Sequence, residues 1–216
     1  MSNGAISSAS IQALKALGAD TVYEAQGAKG ALDSGIKPIH PDMQIAGPAF
    51  TVDCRPADNL MLHYAMLKVQ PGDVLVVDAK AFLEAGPWGD VFTQQAIKQG
   101  LAGLVINGAV RDASAIIKMG FPVFCRGLSI KGTGKEQAGK INVPIHIGDV
   151  LINPGDIIVG DQDGVVVVRK DEVDEVLKSG RAREEKETQF RKQIRNGATT
   201  VELLGLEHTL QRLHLN

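Results

Sequence analysis

Val74-Leu75-Val76-Val77-Asp78, Asp90 to Gln99 closed by Gly100, Gly103-Leu104-Val105-Ile106-Asn107, Asp112 to Met119 closed by Gly120, and Pro122-Val123-Phe124-Cys125-Arg126 follow one another through the middle of the chain. The succession reads as strand, helix, strand, helix, strand, and it decides the fold. Continuous apolar runs such as Val74 to Val77 suit strands buried on both faces of a sheet. Short connections after each glycine suit parallel strands joined by right-handed crossovers, which bring the strand-to-helix loops out at one carboxyl edge. Ligands of open α/β sheets bind at that edge. The loops after Val77 and after Ile106 are therefore expected to be neighbours.

Outward from this core, Ile45 to Asp53 reads as a further strand and Asn59 to Val69 as an amphipathic helix. Ser10 to Leu17 reads as a helix with a serine cap and Gly18 as its stop, and Asp20 as the cap of a second helix reaching Gln26. Lys131 to Lys140, rich in Gly, Lys and Gln, reads as an exposed loop, and Val143 to Val168 as a β-rich stretch. Pro71-Gly72-Asp73 and Pro154-Gly155-Asp156 share type II turn chemistry and do not by themselves indicate a duplication. Asp161 and Asp163 lack the further ligands of a calcium loop and read as hairpin residues. The chain divides into an α/β domain over 1–170 and a C-terminal helical extension over 171–216. Asp171 to Asn196 forms a charged helix with few apolar positions beyond Ser179, and Val201 to His214 is leucine-rich, so this extension is expected to pack on a neighbouring subunit.

With 216 residues and 44% hydrophobic content, the chain can build one sizeable core. Its 23 basic and 25 acidic residues give a formal charge of −2, so no basic field draws nucleic acid or an anionic membrane. Aromatic content of 4% also argues against a base-stacking platform. Cys54 and Cys125 stand alone, without metal or disulfide spacing, and fit a reducing cytoplasm. Met1 to Ser10 shows no basic region leading into an apolar one, and no apolar run is long enough to span a bilayer. His40, His63, His146, His208 and His214 never fall at zinc-ligand spacing. A small soluble ligand remains the expected partner.

Trp88-Gly89-Asp90-Val91-Phe92 and Asn107-Gly108-Ala109-Val110-Arg111-Asp112 are the residues at which to look for chemistry. Each is a glycine turn feeding a helix start, where unpaired amides and the helix dipole favour a bound carboxylate by ~0.3–1 kcal/mol. Arg111 brings a permanently charged fork suited to a carboxylate or a developing enolate. Asp90 and Asp112 offer hard oxygens, and one or two carboxylates plus water is how Mg²⁺ is usually held. Taken singly, Arg111-Asp112 reads more readily as a surface ion pair or helix cap, and Trp88-Gly89-Asp90 equally well as a turn with Trp88 packed in the core. Lys80 reads as a solvated loop lysine rather than a Schiff-base former. Arg126 reads either as a contact for a distal carboxylate or as a structural arginine.

Pro71 to Asp78, Trp88-Gly89-Asp90, Gly103 to Asp112, Pro122 to Gly127 and Pro154 to Val168 together resemble the RraA-like family over residues 20–187. The family contains class II 4-hydroxy-4-methyl-2-oxoglutarate/4-carboxy-4-hydroxy-2-oxoadipate aldolases and non-catalytic regulators of ribonuclease E. The resemblance implies an α/β swivelling β/β/α-type domain with stacked β-layers, assembled as a homotrimer or homohexamer with sites at subunit interfaces. It assigns a divalent metal, Mg²⁺ or Mn²⁺, to Asp112 and pyruvate oxygens to Arg111. The substrate carboxylate would lie at Gly89 and the amides of Val91 and Phe92. Asp90 and, from a neighbouring subunit, Glu187 would orient metal-bound water, with Glu184 and Glu185 as close alternatives to Glu187. The implied reaction is retro-aldol cleavage of a 4-hydroxy-2-oxo acid to pyruvate, with oxaloacetate decarboxylation by the same enolate stabilisation. The regulator branch lacks the acid after the arginine, and Asp112 favours the enzyme. A methyltransferase reading finds no glycine-rich nucleotide loop after the first strand. The natural substrate depends on Phe82 to Pro87 and Lys131 to Lys140, which flank the distal pocket.

Overall fold

In the computed structural model, which describes residues 6–215, the expected strands form and extend. The elements are α1 (Ser8–Leu17), α2 (Ala19–Ala25), β1 (Lys37–Pro38), β2 (Ile45–Asp53), α3 (Leu60–Ala65), β3 (Val74–Phe82), α4 (Asp90–Gln99), β4 (Gly103–Val110), α5 (Ala113–Met119), β5 (Val123–Leu128), β6 (Lys140–Ile141), β7 (Ile145–Ile147), β8 (Val150–Ile152), β9 (Ile157–Asp161), β10 (Gly164–Val168), α6 (Val173–Arg195), α7 (Thr200–Leu204) and α8 (Glu207–Arg212). The leading segment read above as carrying no leader lies, up to residue 5, outside the described residues.

β2, β3, β4 and β5 pair in parallel, as the crossover pattern requires. The sheet continues antiparallel through β9 and β10, in the order β1-β5-β4-β3-β2-β9-β10, with β6 on β2 and β7–β8 as a separate hairpin. Residues 30–38 draw its two ends together. Leu32 N donates to Val165 O (2.8 Å) and Val167 N to Gly30 O (2.9 Å), and five residues later Lys37 pairs opposite Cys125 of β5. The sheet is thereby nearly closed.

Alternation within the apolar runs builds stacked layers. Val74, Val76, Val105 and Phe124 face inward onto Ile158, Val165 and Val167 and the hairpin residues Ile145, Ile147 and Ile152. Leu75, Val77, Leu104 and Ile106 face outward onto α3, α4 and α5. On the opposite side Ile157, Val159, Val166 and Val168 meet α1, α2 and the start of α6. Each such aliphatic side chain contributes ~1.5–3 kcal/mol by leaving water, so a strand with two apolar faces stabilises two layers at once.

Several local expectations shift. Ser7, not a serine at position 10, caps α1, its hydroxyl accepting from Ser10 N at 3.0 Å. Gly18 rather than Asp20 precedes α2, and Asp161 Oδ2 accepts from Ala19 N at 2.7 Å. The distant carboxylate outcompetes the local one because the β9–β10 turn lies against the start of α2. Both Pro-Gly-Asp turns place glycine at positive φ, +90° at Gly72 and +85° at Gly155, and both aspartates accept the amide three residues back. The first turns of α6 bury Val173, Val176, Leu177 and Gly180 within this chain's own third core, and from Arg181 the helix is largely exposed. Among the described residues no helix is long and apolar enough to cross a membrane.

Candidate active site

The carboxyl edge of β3 and β4 brings the two glycine turns together as expected. Arg111 N donates to Trp88 O at 2.9 Å. Trp88 is fully buried, stacked on Phe92 (5.0 Å between ring centroids) and Phe121 (6.2 Å). Its Nε1 donates to Thr93 Oγ1 (2.9 Å), which donates in turn to Gly89 O (3.0 Å). The core reading of Trp88 is therefore correct, and the core tryptophan fixes the height of the Gly89 turn.

Asp112 adopts φ +59°, ψ +31°, a left-handed conformation that aspartate tolerates better than most residues. Its Oδ2 accepts from Asp90 N at 3.3 Å and lies 3.5 Å from Arg111 Nε. Asp112 stands at the N-cap position of α5 without a side-chain capping bond, so the starts of α4 and α5 meet at its carboxylate. Gly89 is required by this approach, since a Cβ there would stand 2.4 Å from Asp112 Oδ2.

A cavity of about 320 Å³ opens at this edge. Gly89, Asp90, Val91, Phe92 and Gln95 form one wall with Arg111, Gly86 and Pro87 form another, and Gly132, Thr133 and Lys135 form a third. Residues of the two loops 82–87 and 131–140 thus line this cavity. Asn59 and His63, at and within the start of α3, complete the lining and were missed as site residues from sequence. The Val91 and Phe92 amides, in the first turn of α4, have no intrahelical acceptor and suit a carboxylate. The side chain of Asp112 is 39% exposed beside this wall.

The loops are pinned from α3. Asn59 Nδ2 donates to Pro87 O and Asn59 N to Gly134 O, both at 3.0 Å. Asp58 accepts from the amides of Leu60 (2.9 Å), Glu136 (2.8 Å) and Gln137 (3.2 Å). Burial works to raise the Asp58 pKa, but those amides outweigh it and hold the carboxyl below its usual range. Gly86 N donates to Lys131 O (2.9 Å), and Lys131 pairs with Glu84 across the two loops. The His63 ring lies 4.5 Å from Phe92, and burial together with the Lys135 charge pushes its pKa below the ordinary histidine value.

Three readings change or close. Lys80 is not a solvated loop lysine: its Nζ sits 2.5 Å from both Asp53 Oδ1 and Asp78 Oδ2, and the two carboxylates more than offset burial to raise its pKa. Arg126 is structural, its Nε donating to Asn107 Oδ1 (2.5 Å) and its guanidinium pairing with Asp33 (2.8 Å). Glu187 pairs with Arg183 (3.0 Å) and Arg191 (3.3 Å) on α6, and the cavity lining within one chain does not include it. Cys54 and Cys125 are free and buried, and burial raises their thiol pKa values to about 12 and about 11, so neither is a nucleophile. A second hollow of about 440 Å³ near α2 has its cations already paired, Lys29 with Glu172 (3.0 Å) and Arg169 with Asp171 (2.9 Å).

Among the described residues no three His, Cys, Asp or Glu side chains converge as a metal cage. One or two carboxylates, Asp112 and Asp90, nevertheless fit an ion that keeps most of its coordination for water and ligand oxygens, which is the habit of Mg²⁺. Asp112 is held from Oδ2 by Asp90 N and Arg111 Nε, with its side chain 39% exposed.

Fold and site define an arginine-bearing cavity at the edge of a nearly closed α/β sheet. The chain belongs to the RraA-like family: residues 17–167 match the family described as Aldolase/RraA. It is 44% identical over 153 residues to the "Putative 4-hydroxy-4-methyl-2-oxoglutarate aldolase" of Halalkalibacterium halodurans, covering 71% of this chain and 73% of that one. A solved structure of an uncharacterized protein from Pseudomonas syringae pv. tomato superposes with a TM-score of 0.82 at 29% identity, over 93% of this chain and 98% of the other. Streptomyces coelicolor RraAS2, described as an unusual member of the RNase ES inhibitor RraA protein family, superposes with a TM-score of 0.75 at 29% identity, over 87% and 98%.

Proposed function

We propose that this protein is a divalent-metal-dependent pyruvate aldolase that cleaves a 4-hydroxy-2-oxo acid such as 4-hydroxy-4-methyl-2-oxoglutarate. The observation that carries this reading is the joining of Arg111, the Asp112 carboxylate and the α4 N-terminus at one edge, through Asp90 N at 3.3 Å and Arg111 Nε at 3.5 Å. The aldolase name of the 44% identical relative supports it.

The Val91 and Phe92 amides bind the substrate C1 carboxylate, and the dipole of α4 favours that charge. Arg111 faces the C2 oxygen, where negative charge develops as the C3–C4 bond breaks. A preorganised donor at such an oxyanion is worth about 10²–10³ in rate. Mg²⁺ or Mn²⁺ at Asp112 supplies Lewis-acid polarisation of the 2-oxo acid when bound. Lys80 does not offer the Schiff-base alternative, since it is clamped as a cation between Asp53 and Asp78. The same stabilised enolate supports oxaloacetate decarboxylation. The protein works as a homotrimer or homohexamer in which Glu187 of a neighbouring subunit reaches the site.

Pyruvate release from 4-hydroxy-4-methyl-2-oxoglutarate and from oxaloacetate, with Mg²⁺ and with EDTA, tests this. Turnover is expected with metal, lost with EDTA, and reduced by about 10²-fold or more in Arg111→Ala. Asn suits the left-handed backbone at 112 as well as Asp does, so Asp112→Asn isolates the carboxylate and is expected to abolish metal-dependent turnover. No metal-dependent turnover of either compound would overturn the reaction and favour the regulator reading that the RraAS2 structure suggests. An unchanged rate in Asp112→Asn would overturn the residue assignment instead.

A further inference from the structure

Arg111 is a permanent cation and Asp112 is the carboxylate assigned to the metal, so a retro-aldol step needs a further proton acceptor, for which the cavity wall offers Asp90 and His63. We infer that His63 is that base: its imidazole takes the proton of the substrate's 4-hydroxyl as the C3–C4 bond breaks. The inference rests on the aldolase reading and adds a catalytic residue to it.

His63 lines the same cavity as Arg111, and its ring lies 4.5 Å from the ring of Phe92, whose amide belongs to the carboxylate-binding turn. A substrate anchored by C1 at that turn and by its C2 oxygen at Arg111 lays its C4 hydroxyl along the remaining wall, which α3 and the Lys135 loop supply. The charge that acts on His63 is that of Lys135 in that loop, and the other charged side chains lining the same cavity are Asp90 of α4 and Arg111 after β4. Partial burial, and after it the Lys135 charge, disfavour the imidazolium and hold the His63 pKa below the ordinary histidine value, which suits a proton acceptor.

The step balances without a co-reactant. The imidazole nitrogen gains the hydroxyl proton, and the O–H electron pair becomes the new C4 carbonyl. The C3–C4 pair becomes the C2–C3 double bond of the enolate, whose oxygen faces Arg111. The imidazolium then returns its proton to C3, leaving the methyl group of pyruvate. Oxaloacetate decarboxylation also passes through the enolate but has no hydroxyl proton to remove.

That difference supplies the test. In His63→Gln, and in His63→Asn as a second variant, kcat for cleavage of 4-hydroxy-4-methyl-2-oxoglutarate is expected to fall by about 10²-fold, within the usual range for a lost general base. Oxaloacetate decarboxylation is expected to stay within about threefold, and the acid limb of the wild-type kcat/KM profile for cleavage to disappear. Equal losses in both reactions would overturn the inference, because His63 would then merely support Phe92. Unchanged cleavage would overturn it as well. A wild-type protein that turns over neither compound would remove the aldolase reading and this inference together, an outcome distinct from failure in the variants alone.

Discussion

At the scale of single residues, the site depends on close approaches that one atom can block. Gly89 leaves room for Asp112 Oδ2 where a Cβ would stand only 2.4 Å away. Gly89→Ala is therefore expected to displace the Asp112 carboxylate from Asp90 N and to lower aldolase kcat by about 10-fold or more, as small misplacements of a reacting group do. Its thermal midpoint should shift by only a few degrees, because the added methyl meets the side chains of Asp112 and Arg111, which are partly exposed and can move, and not backbone. A kcat equal to wild type would show that Asp112 Oδ2 need not sit there. Lys135 offers a second reading of charge. Removing its cation in Lys135→Met lifts one cause of the lowered His63 pKa, so the pKa must rise. The acid limb of the pH–rate profile then moves to higher pH. A limb that stays put or moves down would contradict the placement of Lys135 beside His63. Gly89, Arg111 and Asp112 were legible in the sequence because glycine, arginine and aspartate at two turns announce their chemistry. His63 was not, since a lone histidine on an amphipathic helix carries no local sign of the loop that will cover it.

At the scale of elements, β3 carries the feature that aims the site. Its register passes from Asp78 opposite Asn107 to Phe82 opposite Gly108, leaving 79–81 as an irregularity with Lys80 and Ala81 at φ +61° and +54°. Such bulges redirect a strand, and here residues 83–89 turn toward the cavity. Lys80 holds the bend by bridging Asp53 of β2 and Asp78 of β3, and Asp78 Oδ1 accepts from both Lys80 N (2.9 Å) and Asn107 Nδ2 (2.8 Å). Lys80→Met leaves two carboxylates facing each other and is expected to cost about 2 kcal/mol in chemical denaturation. That figure lies below the ~3–5 kcal/mol of a fully buried broken pair because the Lys80 side chain is 39% exposed. The folded-state pKa of Lys80 is raised, so its contribution is complete below the unfolded value of ~10.4 and lost as pH climbs through the folded one. The gap between wild type and variant should accordingly close in strong alkali, and a constant gap would assign the loss to packing. The sequence showed where β2 and α4 begin and end, because their apolar pattern and glycine stop are local. It showed β3 ending at Asp78, since nothing in Ala79-Lys80-Ala81 signals that pairing resumes beyond a bulge.

At the scale of the whole molecule, the near-closure of the sheet was hidden for a similar reason. Residues 30–38 alternate weakly and act through two separate backbone ladders, to β10 and to β5, which no periodicity reveals. The C-terminal extension was legible in part. Val173, Val176 and Leu177 anchor α6 to its own domain, whereas Leu204 and Leu213 remain 57% and 56% exposed. If Glu187 serves a neighbour's cavity, then Asp112→Asn and Glu187→Gln disable different chains of one shared site. Each variant alone should be nearly inactive. Mixed under conditions that let subunits exchange, the two should regain activity, because a chain carrying intact Asp112 can meet one carrying intact Glu187. Random pairing in a cyclic assembly restores about a quarter of the sites. Recovery toward that fraction, measured as pyruvate release against an unmixed control of equal protein, supports the shared site and the oligomer together. No recovery despite demonstrated exchange, by light scattering of tagged and untagged chains, would place Glu187 outside the reaction and leave each chain's cavity to act alone.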